Sequence, residues 1–200
     1  MAYHAPHITL TLSMYNHSRT NRIISLDVHS KTLAYAVFDG LSQLLDFSVS
    51  GSKHSGFQAG RVEKLVRKFQ PEVIVLQRVP AGSTRDTQAV RTAIKSIRAK
   101  AKHLCIPVVF IEKRLIDETF RRESKLTKYK VALVLAACFS TLTWYVPCKR
   151  KPWMPEDRRM QYFDAAAAGV AYFAIEKGAE AIKQFLFKAE SCSLNLLGGA

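Results

Sequence analysis

From Arg22 the chain sets apolar residues in short runs. RIISLDVH, TLAYAVFD and QLLDFSVS are β-rich, and only a few residues separate them, Gly40 among these. Such brief connections predict an antiparallel meander. Gly51 to Gly56 breaks it, after which FQAGRVEKLVRKF places Phe57, Val62, Leu65, Val66 and Phe69 at helical spacing. Pro71 ends that helix and EVIVLQRV reads as a fourth, buried strand. A second helix, DTQAVRTAIKSIRAKAKHL, is expected to open with an acidic cap at Asp86, and IPVVFIE supplies a fifth strand. A short helical stretch follows around Leu115 to Arg122, then a long one from about Leu126 to Thr143. The basic loop VPCKRKPWMP precedes a last long helix, expected from Pro155 to about Lys177, and a separate helix is expected after Gly178.

Three antiparallel strands, then helix, strand, helix, strand and further helices, without repeat or low-complexity linker, describe one α/β domain. The expected organisation is a flexible extension over 1–21, the domain over 22–177, and a C-terminal helix and tail over 178–200. At 200 residues, folding buries roughly 70% of the surface that an unfolded chain exposes, which is enough for a real core. Charge changes the picture more. Lys and Arg number 30 against 16 Asp and Glu, a net +14, while 48% hydrophobic content excludes a disordered basic tail. Such a field favours a polyanion, nucleic acid first.

Other classes recede. Cys105, Cys138, Cys148 and Cys192 form no C-x-x-C pair and have no His at ligand spacing, which argues against zinc and against a disulfide framework. The apolar stretch from Val131 to Val146 is interrupted by Ser140, Thr141 and Thr143 and is too short to cross a bilayer. With no leader pattern at the N-terminus, the expectation is a cytoplasmic protein without a membrane partner.

Two aspartates stand out. Asp27 interrupts the apolar strand ISLDV, where an unpaired carboxylate costs several kcal/mol unless it holds a cation; an edge position facing water is the alternative. Asp164 begins the small-residue run DAAAAG, where Ala165, Ala168 and Gly169 let a helix approach a sheet closely, though an Ala-rich packing helix with an incidental Asp is also open. ISLDVHSKTLAYAVFDG and QYFDAAAAGVAYF resemble the first strands and last helix of the RuvC-type Holliday junction resolvases. KLTKYKVALVLAACF is similar to the helix of those enzymes that carries a Lys-x-x-Val step, here Lys128 and Val131. The first strands also resemble those of the DEDD transposases. The resemblance covers roughly Arg22 to Phe173. It implies an RNase H-like fold, with a mixed five-stranded sheet flanked by helices and its first and fourth strands side by side.

The resemblance further implies a site of acids holding divalent metal, with Asp27 and Asp164 as ligands. Two positions depart from it: Gln77 stands where the resolvases carry Glu on the fourth strand, and Gln161 where they carry an acid three residues before the last Asp. Each change keeps an oxygen and removes a charge, so metal affinity should fall. Asp157 is a substitute ligand, seven residues before Asp164 and on the same helix face, but about 10.5 Å away along the axis; an N-terminal cap is its other reading. Glu156 beside it and Glu112 at the end of the fifth strand are further acids.

The first functional reading is therefore a Mg²⁺- or Mn²⁺-dependent endonuclease acting on branched or structured DNA, with Asp27, Asp164, Asp157 and Gln77 at its centre. The second is a RuvC-like nucleic-acid-binding module that has lost turnover through Gln77 and Gln161; a transposase-derived domain is a third. His29 and Ser30 read as turn residues. Phosphate contacts are expected from Lys128, from Lys149, Arg150 and Lys151, and from Arg158 and Arg159. Arg85, Arg91, Lys95, Arg98, Lys100 and Lys102 add a basic helix. Trp153 either stacks on a base or, the preferred reading, covers the core. A homodimer is left open.

Overall fold

The computed structural model describes residues 21–52, 56–121, 126–151 and 153–187. Strands β1 (Arg22–Val28), β2 (Thr32–Asp39), β3 (Gln43–Gly51), β4 (Val73–Gln77) and β5 (Val108–Ile111) form one sheet in the order β3-β2-β1-β4-β5. β1 runs antiparallel to β2 and parallel to β4, so it lies at the sheet centre with Asp27 opposite Ala34. β4 and β5 are also parallel, and β2 and β3 antiparallel. The expected mixed sheet is the one observed.

Helices cover both faces. α1 (Phe57–Phe69) and α2 (Gln88–His103) pack on one side, where Val62, Leu65, Val90, Ala93 and Ile97 meet Ile24, Leu26 and Val28 of β1. On the other side lie α3 (Lys113–Phe120), α4 (Lys128–Cys138) and α5 (Met160–Lys177). A strand buried on both faces reads as continuously apolar, and beyond its first residue, Arg22, β1 is apolar except at Ser25 and Asp27, both fully buried. Side chains alternate along a strand, so Ile23, Ser25 and Asp27 share the face that α5 covers.

α5 comes close because it is nearly bare. Ala165 to Ala168, Val170 and Ala171 are buried, and a Cβ on Gly169 would overlap the Phe38 ring of β2. The Ser25 hydroxyl donates to the Ala165 carbonyl at 2.6 Å, fixing the helix against β1. Ala165 follows Asp164 directly, so this contact also sets where Asp164 stands.

Several boundaries differ from expectation, each for a local reason. Thr87, not Asp86, caps α2, its side chain accepting from the Val90 N–H at 3.3 Å; Asp86 instead accepts from the Gly82 N–H at 3.0 Å in the preceding turn. The long helix expected up to Thr143 stops at Cys138, because Phe139 turns extended and a 3-10 helix (Ser140–Tyr145) follows. α5 starts at Met160 instead of Pro155, since the Asp157 carboxylate closes a turn onto the Arg159 N–H at 2.8 Å. Beyond Gly178, at φ +86, residues 179–187 form a further helix, α6, which buries Ile182 and Leu186 in the α5 side of the core. The extension expected over 1–21 lies outside the described residues up to position 20, as does the tail from 188. Among the described residues, no helix is long and apolar enough to cross a membrane.

Candidate functional site: two aspartates closed by basic side chains

Asp27 ends the inward row of β1 and is completely buried. The water-facing edge position is thereby excluded. Two side chains meet its carboxylate. His29, the first residue beyond β1, places Nε2 at 2.8 Å from Oδ2. Arg85 donates from Nη2 to Oδ1, and the same nitrogen donates to the Val28 carbonyl at 3.2 Å. Burial by itself would push the Asp27 pKa up; the His29 hydrogen bond and the Arg85 charge outweigh it, and the carboxyl titrates below its ordinary value.

Arg85 reaches this position from the loop between β4 and α2. The turn is built by Gly82 at φ +73 and by the Asp86 N–H donating to the Ser83 carbonyl at 2.8 Å. The other guanidinium nitrogen, Nη1, donates to Oε1 of Gln77 at 3.4 Å. Gln77, at the end of β4 beside β1, therefore meets Arg85. A glutamate there would give this guanidinium a second carboxylate.

Asp164, in the first turns of α5, is mostly buried, its side chain 18% exposed. Burial raises its pKa, Lys128 lowers it, and the charge of Asp27 raises it again; the net shift is upward. The two carboxylates therefore stand near enough to repel. Lys128, the first residue of α4, donates from Nζ to Asp164 at 2.8 Å and to Glu156 at 2.7 Å. Burial works against the lysine charge, but its two carboxylate partners more than offset this and its pKa is raised.

The remaining expected residues lie elsewhere. Asp157 is bound by Arg159, whose guanidinium approaches to 2.7 Å, and that pairing holds its pKa down. Gln161 accepts from the Thr32 hydroxyl at 3.0 Å, tying α5 to β2. Glu112 is exposed and 3.7 Å from Arg78. Lys149, Arg150, Lys151 and Arg158 are exposed, as the phosphate reading requires. Trp153 is 77% exposed, so it does not cover the core; Lys151 sits over its ring at 5.5 Å. The structure thus gathers Asp27, Gln77, Asp164 and Lys128, and adds Arg85, His29 and Glu156. The two-residue spacing between Asp27 and His29 is the sequence signal that could have revealed His29. Nothing local points Arg85 at Asp27, which lies 58 positions away.

These partners also test whether the site suits divalent metal. Among the described residues, no group of three or more His, Cys, Asp or Glu side chains is gathered in metal-binding fashion. The positive charge that two buried carboxylates need is supplied by Arg85 and Lys128. The Arg85 Nε–H is buried with no partner among the described residues, and an orphan donor calls for an acceptor oxygen, not a cation. The residues present do not fit a two-metal centre.

No protein-family model and no curated protein matches the sequence. Solved structures do. RuvC of Thermus thermophilus superposes with a TM-score of 0.60 at 16% identity, over 79% of this chain and 97% of that one. Its complex with a Holliday junction substrate gives 0.59 at 17% identity, over 79% and 96%. The yeast mitochondrial Holliday junction resolvase Ydc2 gives 0.56 at 14% identity, over 84% of each chain. The chain has the RuvC-type resolvase fold. In this fold β1 and α5 pack directly on each other, which brings Asp27 and Asp164 to the same side of the sheet.

Proposed function

We propose that this chain binds branched DNA through the phosphate backbone, on a resolvase scaffold whose acidic centre is neutralised from within. The observation that carries the reading is the closure of Asp27 by Arg85 and of Asp164 by Lys128, in a protein of net charge +14. Both aspartates are spoken for, while Lys149, Arg150, Lys151 and Arg158 stand exposed beside Trp153. A basic loop with an exposed aromatic suits backbone contact plus stacking on an unpaired base, worth roughly 1–3 kcal/mol. The structural likeness to RuvC bound to a Holliday junction supports a junction as the form of DNA.

The test is fluorescence anisotropy with a four-way junction, a linear duplex and a single strand. The junction should bind most tightly, with affinity falling at least tenfold between about 50 and 200 mM salt. A flat salt response, or no preference for the junction, overturns the reading. Light scattering on the junction complex would show whether one copy or a homodimer binds.

A second reading, a Mg²⁺- or Mn²⁺-dependent endonuclease, is favoured by one observation: the Ser25–Ala165 contact sets Asp164 of α5 against the strand that carries Asp27, so that the charge of Asp27 helps raise the Asp164 pKa. Asp27, Asp164 and the Gln77 amide oxygen would have to hold the ion, and Arg85 and Lys128 would have to leave. Cleavage of a junction by wild type in Mn²⁺, lost in Asp27→Asn and enhanced in Gln77→Glu, would select this reading over the first.

A further inference from the structure

α2 carries Arg91, Lys95, Arg98 and Lys102 at spacings of four, three and four, which places all four on one stripe of the helix. The stripe faces the edge strand β5. Between them lies a cleft of about 620 Å³ lined by Arg78, Arg91, Ile94, Lys95, Arg98 and Phe110. A second hollow of about 510 Å³ continues it past Lys102, Ile106 and Val108. Phe110, half-buried, forms its floor, with the Arg78 and Arg98 guanidiniums 5.6 and 5.7 Å from the ring centroid.

The charges here are open, unlike those of the acid centre. Arg91 is paired with Asp86 at 2.9 Å and Arg78 loosely with Glu112 at 3.7 Å, whereas Lys95, Arg98 and Lys102 have no carboxylate within 4.0 Å among the described residues. Like charges three and four positions apart destabilise a helix by a few tenths of a kcal/mol each, so the stripe strains α2 until an anion meets it. The groove also begins at the acid centre: Arg78 follows Gln77, and Asp86 follows Arg85. From Arg91 to Lys102 the helix rises about 16 Å, close to the axial rise of five base-pair steps of B-form DNA.

We propose that the α2–β5 groove is a second DNA contact surface, which takes the backbone of one arm of a branched molecule whose branch point lies at the Asp27 end of the sheet. Lys95, Arg98 and Lys102 meet the phosphates, and Phe110 with its two arginines meets sugar or base edge. This rests on the DNA-binding reading above. The alternative occupant, an acidic protein, is separated from it by the test.

The full chain carrying Lys95→Ala, Arg98→Ala and Lys102→Ala is compared with one carrying Lys149→Ala, Arg150→Ala and Lys151→Ala, on a four-way junction and on a linear duplex. The α2 variant should bind the junction at least tenfold more weakly, with the slope of log K against log salt flatter by about 2 to 3, and should lose less on the duplex. Should that variant fold poorly, Lys95→Gln with Lys102→Gln should flatten the slope by about 2. Wild-type junction affinity and slope in the α2 variant, with affinity lost in the loop variant, would overturn the groove and leave the DNA-binding reading standing. Equal losses on junction and duplex would overturn the assignment to a second arm. Absence of DNA binding by wild type would overturn both.

Discussion

The acid centre and the α2–β5 groove lie next to each other, and both are rich in basic side chains, yet those side chains have opposite employment. At the centre, Arg85 and Lys128 are bound to Asp27 and to the Asp164–Glu156 pair. In the groove, Lys95, Arg98 and Lys102 are exposed and have no acid partner among the described residues. A count of charges treats the two sets alike. Only the fold shows that one set neutralises buried carboxylates while the other is available to a polyanion. The nuclease fold therefore does not by itself establish nuclease chemistry.

The comparison is broken most severely by removing Arg85. Arg85→Ala leaves Asp27 buried with His29 as its remaining side-chain partner, and breaking one side of a buried ion pair costs about 3–5 kcal/mol. Urea unfolding should show that loss, and Asp27→Asn in the same background should recover much of it. An Arg85→Ala protein of unchanged stability would mean that the guanidinium does not serve Asp27. Gly169→Val acts on the same centre from a distance by pushing α5 off Phe38. Overpacking of this kind costs about 1–3 kcal/mol, readable as a lowered unfolding midpoint.

How much of this was legible in the sequence follows from which forces are local. Alternation and helical spacing reveal the strands and helices, because each side chain's burial is set by its own position along the chain. Gly169 and its alanine neighbours likewise reveal the close β1–α5 approach. The start of α5 differs from the expectation because a Pro followed by acids imitates a helix opening, whereas Asp157 closes a turn onto Arg159 instead. Arg85 could not be read at all: its partner is distant in sequence, and it looks like any other basic residue before a basic helix. Trp153 departs from the expectation because composition cannot tell an exposed tryptophan from a buried one.

Smaller effects sharpen the contrast from the open side. Replacing Lys149, Arg150 and Lys151 together by Ala should change stability by less than about 0.5 kcal/mol, yet flatten the salt dependence of DNA binding; calorimetric unfolding and anisotropy read the two separately. Lys100 supplies a pH test, because unlike Lys95, Arg98 and Lys102 on the same helix it is paired, at 2.9 Å, with Glu63. Hydrogen bonds from Lys100 and Arg67 lower the Glu63 pKa from 4.5 to about 2. A depressed carboxylate stabilises the fold above its unfolded pKa and loses that contribution as pH falls through the folded value. Wild type and Glu63→Gln should therefore differ most above pH 4.5 and converge as pH approaches about 2. A constant difference across that window would contradict the pairing.

The central claim, that Arg85 and Lys128 take the place of metal at the acid centre, is tested most directly by titrating Mn²⁺ into the wild-type protein in a calorimeter. The account predicts no saturable heat at millimolar ion. Saturable binding that disappears in Asp27→Asn would contradict it and return the site to metal chemistry.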